Sequence, residues 1–328
     1  MADQVVDSQN TVAAVGDDTR PVGPPEDRLL PLLLRLNHEL SSGIPPVLNG
    51  DADALHRFRI TLRRLRLILR ALDRIGPRKR LRRSRRTLRR MERITGRTRD
   101  LWVTLAGLDT AQDEARSNAS AEVRELRRRL LAAIRASQRS MVEGLLDVDL
   151  ARLRRDLRRI CRPTRDGALP TVLERVRTLA RAEGTALVDL APAATGHRLN
   201  IEALHRLRQY ARSLRYLAEL DAELTGEETG AARRFKRVQD LLGEIRDQWL
   251  LREWAREAAR RARGSHPATL TAAAAKVARE AQKSITARHT VWRGGANLAL
   301  VSRGLRRMGA PLPTSVPPAA SEPPGGTS

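Results

Sequence analysis

At 328 residues the chain can hold one large domain or two ordinary ones, and its 62 Lys and Arg against 38 Asp and Glu give a formal charge of +24. Such a balance points to a polyanionic partner: nucleic acid, an anionic membrane surface or a phosphate polymer. The single cysteine, Cys161, excludes an internal disulfide and a cysteine-built metal centre. No apolar run approaches the roughly 20 residues that cross a bilayer, so a soluble, cytoplasmic protein is expected.

Residues 1–26 hold acids, Gly and Pro without periodicity or the apolar stretch of a signal peptide, and read as a disordered tail. From Asp27 the pattern turns helical, with Leu, Ala and Arg dominant and no β-type alternation. Helices are predicted over Asp27–Leu40, Asp53–Ile75, Arg78–Leu108, Asn118–Leu146 and Leu150–Cys161, and then over Pro170–Asp189, Ile201–Glu223, Glu228–Arg263 and Ala268–Gly309. Gly76-Pro77 is a stop and a new start, Asp51 and Asp53 offer N-caps, and breaks are expected at Gly96, Gly243 and Gly294-Gly295. Residues 310–328, rich in Pro, Gly, Ser and Thr, read as a second disordered tail.

An internal repeat organises the helical part. Leu55-His56-Arg57-x-Arg59 recurs as Leu204-His205-Arg206-x-Arg208, and at the same offset Arg63 falls on Arg212 and Arg66 on Arg215. Further on, Gly96-x-x-Arg99-Asp100-x-Trp102 recurs as Gly243-x-x-Arg246-Asp247-x-Trp249, with Arg89 upstream matched by Lys236. Two related halves follow, about 27–161 and 170–309, each a small helical bundle. A repeat of two argues for a pseudo-twofold pair, not a solenoid.

On a helix, His56, Arg59, Arg63 and Arg66 fall within an arc of roughly 80°, and Arg70 extends the stripe. Leu55, Phe58, Leu62, Leu65, Leu69 and Leu72 form an apolar face beside it, not opposite it. That placement suits the wall of a groove or pore. In the next predicted helix Arg78, Arg82, Arg85, Arg89 and Arg93 make a second ladder.

Charge separates the repeated sites from background. Residues 57–99 carry 19 basic and two acidic residues, whereas 204–249 carry nine and eight. The second half has lost bulk basicity yet keeps Arg208, Arg212, Arg215 and Lys236 at the ladder positions. Arg80, Arg83, Arg127 and Arg128, which lack a repeated counterpart, are expected in solvent. Arg64 opposite Ser213, and Arg93 opposite Asp240, predict one wall more basic than the other.

These runs, LHRFRITLRRLR at 55–66, LHRLRQYARSLRY at 204–216 and RVQDLLGEIRD at 237–247, resemble the CHAD family. The resemblance spans about Asp27 to Gly309. It implies an all-α fold of two pseudo-symmetric antiparallel helical bundles enclosing a basic central channel that binds inorganic polyphosphate. Carried over by position, the contacts are His56, Arg59, Arg63, Arg66, Arg89, His205, Arg208, Arg212, Arg215 and Lys236, with Arg70 and Arg93 extending the two ladders. The paired basic ladder without a catalytic constellation leads to the expectation that the protein concentrates on polyphosphate granules. The enzymatic triphosphate-tunnel module that accompanies some CHAD domains has no ExExK motif here.

Catalysis is not expected. Neither His56 nor His205 has a Ser, Cys or paired carboxylate at nucleophile spacing, and no HExxH or GK[ST] phosphate loop occurs. Neither metal nor cofactor is expected. Asp100 and Asp247 are read as carboxylates orienting a neighbouring arginine. The rival reading is a nucleoid-type DNA-binding protein. Against it stands the ladder repeated beside the apolar face in both halves, where a DNA-reading helix would carry its arginines on an open face. The 2% aromatic content argues against a binder of single strands, which stacks bases on aromatic rings. Trp102 and Trp249 read as core residues.

Overall fold

The side chain of Asp51 accepts hydrogen bonds from the backbone N–H groups of Asp53 and Ala54, each 2.8 Å, and so starts the first arginine-rich helix. Asn200 does the same for the second, accepting from Ala203 N–H at 3.0 Å. The computed structural model describes residues 28–74, 77–114, 120–161, 168–262, 268–294 and 296–312. The N-terminal tail, most of the C-terminal tail, Gly76 and Gly295 lie outside them.

Within the described residues the chain is all α. Its helices are α1 (Leu29–Ser42), α2 (Ile44–Leu48), α3 (Ala52–Ala71, with a 3-10 turn to Arg74), α4 (Arg78–Ile94), α5 (Gly96–Glu114) and α6 (Ala121–Leu146). They continue as α7 (Leu150–Cys161), α8 (Ala168–Thr195), α9 (Ile201–Thr225), α10 (Ala231–Ala262), α11 (Ala268–Arg293) and α12 (Ala296–Arg307).

The same neighbours recur along the chain. α1 packs on α3 as α8 packs on α9, and α3 on α4 as α9 on α10. α5 lies on α6 as α10 lies on α11, while α7 meets α1 and α4 as α12 meets α8 and α10. The two sets join through like elements: α3 on α9, α5 on α10, and α6 on α11.

The predicted apolar face of α3 is the core. Leu55, Phe58, Leu62, Leu65, Leu69 and Leu72 are all buried and share one cluster with Leu204, Leu207, Leu214 and Leu217 of α9. The core therefore runs continuously through both sets, and burial of this stripe is the main force holding α3 against α9. Packed structure continues to Ala310, a buried residue whose N–H bonds to the Leu305 carbonyl at 2.9 Å.

The expected breaks behave unequally. Thr95 ends α4 and Gly96 opens α5, and the chain turns at Gly294, but α10 runs through Gly243 unbroken. Pro45-Pro46 occupies the first turn of the short α2, where proline's missing N–H has no helical partner to lose.

Candidate functional site

α3 and α9 lie against each other with their arginine stripes on the same side of the contact. Arg63 is close enough to Arg212 to depress the latter's pKa, after burial and ahead of Arg208. Burial and Arg63 likewise hold Arg59 down to about 10. Arg99 is lowered by burial and Arg63, against the pull of Asp247. Arg246 is lowered by burial and Arg208, against the pull of Asp100. Six guanidiniums from α3, α5, α9 and α10 thus gather at one place and repel one another.

Three carboxylates stand among them. Glu92 accepts from Arg63 Nε at 2.9 Å and also from Arg66. Burial raises its pKa, but Arg66 and Arg63 outweigh that and hold it below the usual carboxylate value. Asp100 lies 3.6 Å from Arg246 Nη2. Burial pushes Asp247 upward, and Arg208, Arg99 and Arg246 act against it. Asp100 thus reaches an arginine of the opposite repeat, and Asp247 stands between arginines of both.

Both histidines stay neutral at pH 7. Burial, then Arg99 and Arg63, lowers His56 to about 4 although part of its ring meets solvent. Burial, then Arg246, Arg208 and Arg212, lowers His205. His205 Nε2 lies 2.8 Å from the Gln209 amide nitrogen.

Several donors have nothing to donate to. Arg59 Nη1 reaches the Glu92 carbonyl and Thr95 Oγ1, each at 2.6 Å, and so caps α4, but its Nε is buried without a partner among the described residues. Arg208 Nε, Arg246 Nη1 and His205 Nδ1 are in the same state. Buried polar groups rarely go unpaired, and each unsatisfied one is destabilising. The repeated glycines face these arginines. A Cβ on Gly243 would stand 3.5 Å from Arg208 Nε, and one on Gly96 4.0 Å from Arg59 Nη1, both ordinary contact distances.

The predicted site residues therefore separate. His56, Arg59, Arg63, His205, Arg208 and Arg212 meet at the cluster. Arg66 and Arg215 adjoin it but are held by Glu92 and Glu219, the latter at 2.7 Å. Arg70 is tied to Glu183 of α8 at 2.8 Å. Arg89 and Arg93 are exposed on α4, and Lys236 is exposed on α10 with its Nζ 2.6 Å from Asp240. Arg64 does not enrich one wall, since it pairs across the helix contact with Glu219 and Glu223 of α9.

Two expectations need correction. Trp249 is not a simple core residue, because Arg246 stacks 4.5 Å from its ring centroid. Its ring, with His205, Arg246 and Arg252, lines a cavity of about 610 Å³. Arg83 is not idle in solvent, because its Nε and Nη2 clamp the buried Asp156 at 2.6 and 2.7 Å. Arg99, Arg246 and Glu92 were missed as site members. The repeated Gly-x-x-Arg-Asp-x-Trp signature held the first two in plain view, and an acid kept within a basic run signalled the third.

Among the described residues no three His, Cys, Asp or Glu side chains cluster as a metal ion requires. No helix there is long and apolar enough to cross a membrane.

Two solved structures share this architecture. The CHAD domain from the plant Ricinus communis aligns with a TM-score of 0.57 at 17% identity, over 87% of this chain and 92% of that one. PptA from Streptomyces chartreusis aligns with a TM-score of 0.52, also at 17% identity, over 87% of this chain and 99% of that one. None of the curated proteins matches in sequence. The CHAD domain family model matches residues 33–256, from α1 well into α10, so the sequence runs that pair arginine with arginine across α3 and α9 are those of a known family: the chain belongs to the CHAD domain family.

Proposed function

We propose that this protein binds inorganic polyphosphate without chemically altering it, in a basic channel between the two repeated halves. One observation carries the reading: buried nitrogen donors of Arg59, Arg208, Arg246 and His205 converge on one place and lack partners among the described residues. A phosphate chain supplies closely spaced acceptor oxygens and negative charge, which would satisfy those donors and relieve the repulsion among the arginines. The histidines, neutral and donor-bearing, add hydrogen bonds without adding to that repulsion in the empty site. At the cluster one face of the Trp249 ring is occupied by Arg246 and not left for a base. In a cell that stores long-chain polyphosphate, the protein concentrates on the granules.

Competition tests this reading against DNA binding. Long-chain polyphosphate is expected to displace a labelled DNA duplex at far fewer phosphate equivalents than DNA needs to displace labelled polyphosphate. Equal potency, or the reverse order, would mean a general basic surface.

A further inference from the structure

α4 buries only its Leu81, Ser84, Leu88 and Met91 side and turns a basic flank outward. Arg78, Arg82, Arg85, Arg86 and Arg89, with Asp73 opposite, line a groove of about 570 Å³. Only Arg85 is neutralised there, by Asp73 at 3.1 Å. Arg78, Arg82, Arg86 and Arg89 form no ion pair or hydrogen bond with any described residue. Like charges three and four residues apart on one helix repel, so the empty groove works against the helix that carries it.

The repeat supplies an internal comparison. At the offset relating Arg89 to Lys236, the positions of Arg78, Arg82 and Arg85 are taken by Thr225, Thr229 and Ala232, while Arg86 falls on Arg233. The second copy thus keeps a basic residue at two of the five groove positions and has lost it at the other three. The groove ends close in sequence to a residue of the central cluster. Glu92 lies one turn beyond Arg89 on α4, and its carboxylate is already taken by Arg63 and Arg66, leaving that junction positively charged.

Resting on the polyphosphate reading above, we infer that the α4 groove is a one-sided extension of the site, engaged only by chains long enough to run out of the cluster. The groove runs from Arg78 to Arg89, about 16 Å of helix. A short oligophosphate held in the cluster does not reach it. The protein thereby selects long chains and holds them with one preferred direction of exit.

The test compares Arg78→Gln/Arg82→Gln/Arg86→Gln with Arg135→Gln/Arg139→Gln/Lys276→Gln in the full chain. The control residues are exposed, unpaired among the described residues, and remove the same charge. Titration calorimetry is run with tripolyphosphate and with long-chain polyphosphate, after circular dichroism confirms helicity. The α4 variant is expected to lose at least tenfold more affinity for the long chain than the control does, with tripolyphosphate affinity equal in the two. Equal long-chain losses, while the unaltered protein binds both lengths, overturn the extension and leave the central site standing. Equal α4 losses for both lengths also overturn it, because the groove is then part of the central site. If the unaltered protein binds neither length, the polyphosphate reading and the extension fall together. A loss confined to duplex DNA assigns the groove to nucleic acid and overturns the extension.

Discussion

Arg246 of α10 and Asp100 of α5 approach to 3.6 Å, and the residues beside them, Asp247 and Arg99, attract each other in turn. Arg246 occupies in the second motif the place of Arg99 in the first, and Asp247 that of Asp100. The two attractions are one relationship made twice with the partners exchanged. Each motif is incomplete without the other, so the arginines reach their geometry only when α5 and α10 are packed together.

Removing a shared counter-charge should therefore be felt by the ligand. Asp247 stands among Arg99, Arg208 and Arg246. Burial already works against its charged form, so the Asp247→Asn variant is expected to change the stability of the empty protein by no more than about 1 kcal/mol. Polyphosphate should raise the melting temperature of this variant more than that of the parent, because the anion replaces the lost charge. Denaturant melts with and without ligand check this, and an equal ligand-induced shift in both proteins would contradict it.

The histidines predict how pH acts. His56 is depressed to about 4 in the folded protein, against an unfolded value near 6.5. Between those values the unfolded chain binds more protons, so the stability of the empty protein should decline as pH falls from 6.5 towards 4. A bound polyanion favours the protonated rings and reverses the sign. Affinity should rise over the same range, with proton uptake on binding. Calorimetry in buffers of different ionisation enthalpy measures that uptake, and a His56→Asn variant should show less of it.

Asp156 offers a test of the scaffold apart from ligand. Hydrogen bonds from Arg83 hold its pKa below the ordinary carboxylate value, so its contribution to stability is present above pH 4 and is lost as pH falls through the depressed value. The Asp156→Ala variant is expected to lose about 2 to 3 kcal/mol, as charged hydrogen bonds to a buried carboxylate do, while its polyphosphate affinity at neutral pH stays unchanged. A change in affinity would show that α4 and α7 are coupled to the site.

The α12 helix lies beyond the residues that the family model matches, yet its packing admits little change. A Cβ on Gly304 would stand 2.7 Å from the ring of Phe235, which is fully buried. The Gly304→Ala variant should destabilise the protein by about 1 to 3 kcal/mol, the range for overpacking a core. A thermal melt unchanged from the parent would show that α12 is not locked to α10.

The helices were legible wherever apolar periodicity met a clear cap, as in α7, whose ends at Leu150 and Cys161 match the expectation. Gly243 misled because a glycine inside a helical pattern lowers helix propensity without by itself ending the helix, and packing of α10 on α9 and α11 carries the helix through it. The ladder positions at 56, 59 and 63 and their repeats were readable from a one-helix projection. That projection is blind to partners from other helices. It therefore showed Arg70 as free when Glu183 of α8 holds it, and Arg64 as part of a wall when α9 carboxylates take it.

The central claim is that arginines of the two repeats meet to hold a phosphate chain, at some expense to the empty fold. Arg208 and Arg212 bear that most directly, because neither makes a hydrogen bond to a described residue and each lowers the comfort of the other. The decisive measurement is the polyphosphate affinity and ligand-free melting temperature of Arg208→Gln/Arg212→Gln, set beside Arg135→Gln/Arg139→Gln as an exposed pair of equal charge. Contacts of about 1.5 to 3 kcal/mol each predict a loss of at least about 3 kcal/mol beyond the control, on the order of 100-fold in affinity. The ligand-free melting temperature should hold or rise. Equal affinity losses in the two pairs, or a ligand-free protein that unfolds without its buried arginines, would contradict the account.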